Sequence, residues 1–231
     1  MTGDTGQNVK RLGRPRKDGR PPVTKAEIMS VSARLFALEG FAGTSMRLIC
    51  KELGVTTSSV FHQFPSKQAI LEKIFATAVL PELAFYKKIS KVDAPAAAKL
   101  YKIITSDIRE VAQINPQLKG VLGLPEVRNP RFKELYKLRK KTINHFRKLV
   151  GAGIQEGDFR PLDTKIISEV VTLLGEFPVY TSTSLGSPGT QSAEIAQFVF
   201  LGLLKHPSRL KYVQQMAAKI PEQFVRPEEL T

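Results

Sequence analysis

The 231-residue sequence predicts an all-α protein, and three observations carry that prediction. From Thr24 onward, apolar residues recur at spacings of three and four, the period of a helix with one buried face. No stretch of useful length alternates apolar and polar residues as a half-buried strand does. The apolar runs are also punctuated by capping residues in front and by Gly or Pro behind, as helix boundaries are. A content of 42% hydrophobic residues supplies a sizeable core, and the length sits between one and two ordinary domains.

The elements follow in order. Thr24, with Glu27 three residues on, forms a capping box; Ile28, Val31, Leu35 and Leu38 then share a face until Gly40 ends the helix. A second helix starts at Thr44 and stops at Gly54, and a third follows Thr56 and ends near Phe64–Pro65. Ser66 caps a fourth, longer helix with Ile70, Ile74 and Phe75 inward, and Pro81 predicts a kink or break in it. Asp93 and Pro95 open a helix with the stripe Leu100, Ile104, Ile108 and Val111, ended by Asn115–Pro116, and a short element follows at about 117–124. A long basic helix covers roughly 130–156, with Phe132, Leu135, Ile143, Phe146 and Val150 on its stripe. Lys165–Tyr180 and Ser192–Leu204 are apolar on more than one face and predict helices buried on several sides. A loop, Ser182–Thr190, separates them, and a last helix covers about 207–219, before a loose tail.

Charge narrows the partners. The net +14 points to an anionic partner. It is concentrated in two places: +6 over residues 1–67 and +7 over residues 131–148, while residues 149–231 carry −2. The first focus is an arm, Lys10–Arg20 (KRLGRPRKDGR), whose Gly and Pro oppose a regular helix. The second is a helix on which a solvated face outweighs a second nucleic-acid surface. A single cysteine, Cys50, excludes an internal disulfide framework, and neither a secretory leader nor a membrane span is legible, so the expected compartment is the cytoplasm. No metal site, cofactor motif or enzyme centre is expected. The three histidines, His62, His145 and His206, pair with no carboxylate or cysteine at ligand spacing. Gly151-Ala152-Gly153 follows no strand, as a dinucleotide fingerprint would require.

The second and third helices, joined by a tight turn at Gly54–Val55, have the layout of a helix-turn-helix, whose second helix enters the major groove. Thr57, Ser58 and Ser59 open that helix, and small hydroxyls there suit phosphate or base edges. Ordinary capping chemistry explains the same residues equally well.

The stretch Leu35–Leu71 resembles the DNA-binding domain of the tetracycline-repressor (TetR) family of bacterial transcription regulators. The matching pieces are Leu35-Phe36 with Gly40-Phe41, Thr44-Ser45-Met46-Arg47, Gly54-Val55-Thr56, and the run Phe61-His62-Gln63-Phe64-Pro65-Ser66-Lys67. The resemblance implies a helix-turn-helix domain over 23–68 and a larger helical ligand-binding and dimerisation domain over 69–231, preceded by a basic arm over 1–22. It implies a phosphate contact at Thr44, Arg47 beside it, groove contacts from Thr57, Ser58, Ser59 and Phe61, and backbone contacts from His62 and Lys67. Phe61 stands where the family commonly has Tyr, and Thr57-Ser58 where it often has Lys-Gly or Pro-Gly, so the operator sequence is not inherited. Leu48 replaces a commonly acidic position.

Gly13-Arg14-Pro15-Arg16, echoed by Gly19-Arg20-Pro21, resembles an AT-hook core. Arg14, Arg16 and Arg20 would then read a narrow A·T-rich minor groove, and a merely solubilising tail is the alternative. The family resemblance also implies a homodimer on a palindromic operator, released by a small-molecule effector. Dimer candidates are Val171, Leu174, Ile195, Val199 and Gly202. Effector candidates are Phe85, Tyr86, Tyr101, Arg139, Phe146, Glu176, Phe177 and Tyr180, with Arg139 on an otherwise apolar stripe and suited to an acidic ligand group. A non-specific, nucleoid-type DNA-binding protein is the alternative function.

Overall fold

The computed structural model describes residues 21–181, 186–221 and 223. Among them the chain is helical throughout, with one isolated antiparallel bridge, Phe159 to Leu204, and no strand. Helices α1 (Lys25–Gly43), α2 (Met46–Leu53) and α3 (Thr57–Phe61) come first, followed by α4 (Lys67–Ser90), α5 (Ala96–Gln113) and α6 (Pro116–Leu122). A 3-10 turn, Pro125–Arg128, leads to α7 (Lys133–Gln155), α8 (Thr164–Gly175) and the short α9 (Phe177–Tyr180). The chain continues with α10 (Pro188–Leu203), a 3-10 turn at Pro207–Arg209 and α11 (Leu210–Ala218).

Local signals explain most boundaries. The Thr24 capping box forms with both reciprocal bonds, the Thr24 amide donating to Glu27 at 2.7 Å and the Glu27 amide to Thr24 Oγ1 at 3.1 Å. The backbone leaves helical geometry at Gly40 (φ +71°), as its sequence position predicts, although helical turns resume to Gly43. Gly54 adopts φ +65°, ψ +33°, a left-handed conformation that costs glycine nothing and lets α2 end in a tight turn.

Four expectations change. Leu38 is 69% exposed, while its neighbour Ala37 is the residue that meets α6, at Gly120. Pro81 causes no break; α4 runs unbroken for 24 residues, roughly 36 Å at 1.5 Å per residue. The helix expected over Lys165–Tyr180 divides at Glu176, since Pro178 in the first turn of α9 has no amide to continue α8. Helix α10 starts at Pro188 rather than Ser192, with Ser187 Oγ accepting from the Thr190 amide at 3.1 Å.

Two apolar cores result. The first joins Ile28 and Phe36 of α1, Ile49 and Cys50 of α2, Val60 of α3 and Ile70 to Phe75 of α4 with Leu118, Val121, Val127 and Leu135. The second gathers Phe85 and Tyr86 of α4, Leu100 to Ile108 of α5, Phe146 and Val150 of α7, Phe200 of α10 and Val213 of α11. Helix α4 contributes its first half to one core and its second half to the other. Cys50 is buried core filling, and burial pushes its thiol upward and away from reactivity.

Helix α6 lies along α1 at close range. A Cβ added at Gly120 would stand 2.5 Å from Ala37 Cβ and 3.0 Å from Ala37 Cα, so neither obstacle is a side-chain end that can swing away. Gly120→Val is therefore expected to separate the two helices and cost roughly 2–3 kcal/mol, read as a lower thermal midpoint.

Candidate nucleic-acid interface and effector cavity

Helices α2 and α3 meet across the Gly54 turn, and α3 is anchored by the fully buried Val60. Around that anchor Arg47, Thr57, Ser58, Phe61 and His62 are exposed and Ser59 is half-buried. The Thr56 side chain caps no backbone amide. Its hydroxyl instead meets Ser58 Oγ at 3.0 Å and Ser59 Oγ at 2.9 Å, forming a hydroxyl cluster at the head of α3. The platform is braced by an Arg34–Glu52 ion pair at 2.5 Å between α1 and α2, and by Gln63 Nε2 donating to Val23 O at 2.6 Å.

Two predicted contact residues face inward instead. Thr44 is only 1% exposed and its hydroxyl donates to Gly40 O at 2.9 Å, so it closes α1 and presents nothing to a phosphate. Ser45, one residue on, caps α2, its Oγ accepting from the Leu48 amide at 3.1 Å. Lys67 donates to Phe41 O and Thr44 O, each at 2.7 Å, and its ammonium lies 4.4 Å from the Phe41 ring centroid. It gathers the carbonyls that the end of α1 leaves open, which a charged donor does better than water does at a partly buried site. Arg14, Arg16 and Arg20 lie outside the described residues.

The second site is a cavity of about 70 Å³ among α4, α5, α7, α8 and α9. Of the effector candidates, Tyr86, Arg139, Phe146 and Glu176 line it. Phe85 is core, and Tyr101 stands edge-on to Phe200 with its hydroxyl accepting from Gln214 Nε2 at 3.1 Å. Phe177 and Tyr180 flank the site without lining it, and Tyr180 is more than half exposed. Sequence reasoning missed Glu82, Asp107, Thr142 and Thr172, polar lining residues whose signal was a polar side chain on an apolar stripe.

Two polar groups face this space. On the α4–α5 side the Tyr86 hydroxyl donates to Asp107, beside Glu82. On the other side Arg139, 7% exposed, donates to Glu176, which also accepts from Arg128 at 2.5 Å. Arg128 in turn donates to the Tyr180 hydroxyl. Burial raises the Tyr180 hydroxyl above its ordinary value, with Glu176 adding and the arginines opposing.

His145 stacks on Tyr86 at 5.1 Å behind this wall, and its Nε2 is buried without a hydrogen-bond partner. Burial, reinforced by Lys148, pulls its pKa down to about 4 from 6.5. The folded chain thus holds it neutral where the unfolded chain takes up a proton. Its contribution is complete above about pH 6.5 and is lost as the pH falls toward 4. His145→Phe is expected to flatten that stretch of the thermal-midpoint profile relative to wild type.

Helices α8 and α10 carry a different surface from the one expected. Val171 and Val199 are buried in the protomer's second core, with Leu174 and Ile195 packed against it. The exposed apolar residues are Ile166, Val170 and Leu173 on α8 and Phe198 and Leu201 on α10, with Phe198 72% exposed. Gly202 is half-buried, and a Cβ added there would meet nothing within 4 Å. Among the described residues no helix is long and apolar enough to cross a membrane, and no three potential metal ligands gather.

Comparison with known proteins matches this architecture. Residues 28–74 match the family model for bacterial regulatory proteins of the tetR family. The HTH-type transcriptional repressor KstR2 of Rhodococcus jostii is 26% identical over 151 residues, 62% of this chain and 70% of that protein. A bacterial regulatory protein in the tetR family from Rhodococcus RHA1 superposes with a TM-score of 0.68 at 23% identity, covering 78% of this chain and 96% of the other. The ketosteroid transcriptional regulator KstR2 of Mycobacterium tuberculosis gives 0.67 at 20% identity, covering 84% and 100%. Residues 28–74 thus carry a helix-turn-helix of the tetR type, set in a helical fold that solved tetR-family structures share along most of their length, and together these support a DNA-binding regulator of the tetR family of bacterial regulatory proteins.

Proposed function

We propose that the chain is a homodimeric transcriptional repressor that leaves a palindromic operator when a small molecule enters the α4–α9 cavity. The observation that carries the DNA half is the exposed surface of Arg47, Thr57, Ser58, Phe61 and His62 around a buried Val60. The hydroxyls, with Ser59, suit phosphate and base edges, and Phe61 suits a thymine methyl. Arg14, Arg16 and Arg20 would extend the contact into the adjoining minor groove. Functionally the chain divides into the arm (1–22), the reading head (23–68) and the sensing and pairing part (69–231), although the first core crosses the last boundary.

The dimer would form through the outer face of α8 and α10, where Ile166, Val170, Leu173, Phe198 and Leu201 are exposed in the protomer. A repressive role rests on similarity to the Rhodococcus repressor.

Footprinting of the full chain on sites recovered by genomic selection tests the proposal. Two protected half-sites centred about 34–36 Å apart are expected. Equal affinity for any duplex would replace the regulator with a DNA packer. Deleting residues 1–20 is expected to flatten the salt dependence of binding, since each phosphate contact contributes about 0.9 to the fall of log K per decade of salt and a lost contact removes that share.

A further inference from the structure

The cavity has an unusual wall. Arg139 sits on the inward face of α7, among Leu135, Thr142, Ile143 and Phe146, and is more than nine-tenths buried. A guanidinium does not shed its charge, so burying it requires an anion close by. Glu176 is that anion, with Glu169 more distant at 3.8 Å.

The Glu176 side chain is about a quarter exposed and stands at the junction between α8 and α9, outside either helix. It is also shared, because Arg128 binds its other oxygen. Arg128 ends the 3-10 turn that follows α6, and α6 is the helix pressed against α1 at Gly120 and Ala37. One carboxylate thereby ties a cavity wall to the segment that rests on the DNA-binding helices.

We propose that the effector is a small organic anion, a short apolar body with one carboxylate, that takes Arg139 from Glu176 and so loosens Arg128 and the α6 segment from the arrangement that binds DNA. This rests on the regulator reading given above. The small volume, about 70 Å³, fits a body of few carbons rather than the roughly 300–1,000 Å³ of drug-sized sites. Phe75, Val79, Val111, Leu122 and Val127 supply the apolar lining. The exchange is charge-neutral for Arg139, and Glu176 can turn toward solvent, whereas the arginine cannot. Glu82 and Asp107 on the opposite side favour a hydrogen-bond donor or a cation, which makes an amine the natural competitor.

The test uses the full chain with three matched probes, pentanoate, pentylamine and pentan-1-ol, and two variants, Glu176→Gln and Arg128→Gln. Pentanoate is expected to raise the thermal midpoint of the wild type and to weaken its binding to a selected operator duplex, with the other two probes inert. Each variant is expected to bind that duplex at least fivefold more weakly with no probe present, the lower end of ordinary allosteric coupling, while keeping a wild-type helical spectrum. Arg128→Gln carries the test alone if Glu176→Gln does not fold. Stabilisation by pentylamine instead, inert behaviour of all three probes, or wild-type operator affinity in the folded variants would each overturn the proposal and leave the DNA-binding regulator standing. Failure of the wild type to select any discrete site would instead remove the regulator reading, with pentanoate binding still scored by the thermal shift.

Discussion

Phe198→Glu is expected to leave the protomer folded and to convert the proposed dimer into a monomer. The side chain is 72% exposed, so an added charge meets solvent in the lone protomer and costs its core nothing. Across a two-fold axis the same substitution places two carboxylates against an apolar face formed by Leu201, Ile166, Val170 and Leu173. The consequence for DNA is large. Two linked reading heads gain avidity of 10²–10⁴ over one, so operator affinity should fall by about that factor while the affinity of a single half-site is retained. Light scattering checks the mass, and titration of full and half operators checks the affinities. A variant that stays dimeric would remove the α8–α10 face as the interface.

Lys67→Met is expected to damage stability, where a phosphate-contacting lysine would affect only binding. Its ammonium serves the Phe41 and Thr44 carbonyls and lies over the Phe41 ring. Hydrogen bonds to a charged group contribute about 1.5–3 kcal/mol, and methionine keeps the stem while leaving those carbonyls without their donor. A loss of roughly 2–3 kcal/mol should lower the midpoint by about 4–12 °C in a chain of this size. The salt slope of DNA binding should not change. A flattened slope at an unchanged midpoint would return Lys67 to the DNA surface, because a lost phosphate contact changes that slope by about 0.9.

These two residues also mark how far the sequence could be read. Local chemistry was legible: the Thr24 capping box and the Gly54 turn depend on residues three or four apart and appear as their spacing predicts. The burial of Arg139 followed from its place on the α7 stripe. What failed depended on contacts distant in sequence. A helix apolar on two faces does not reveal which face its own protomer covers, so spacing alone does not separate Val171 and Val199, which the protomer buries, from Leu173 and Phe198, which it leaves exposed. Lys67 sits in a recognisable motif, yet its partners lie 23 to 26 residues back, a distance at which periodicity carries no information. The second helix, expected to start at Thr44, begins at Met46 with Ser45 as its cap.

The double membership of α4 has an engineering consequence. The apolar floor beneath the helix-turn-helix includes Leu118, Val121, Val127 and Leu135, residues about fifty to seventy positions beyond the reading head in the chain. A graft that moves only residues 21–66 onto another sensor would leave Phe36, Ile49 and Val60 without the surface they rest on. A functional hybrid should therefore transplant two separate stretches, the head through the first half of α4 together with α6 and the start of α7. The economical cut runs across the middle of a helix, where α4 passes from one core to the other.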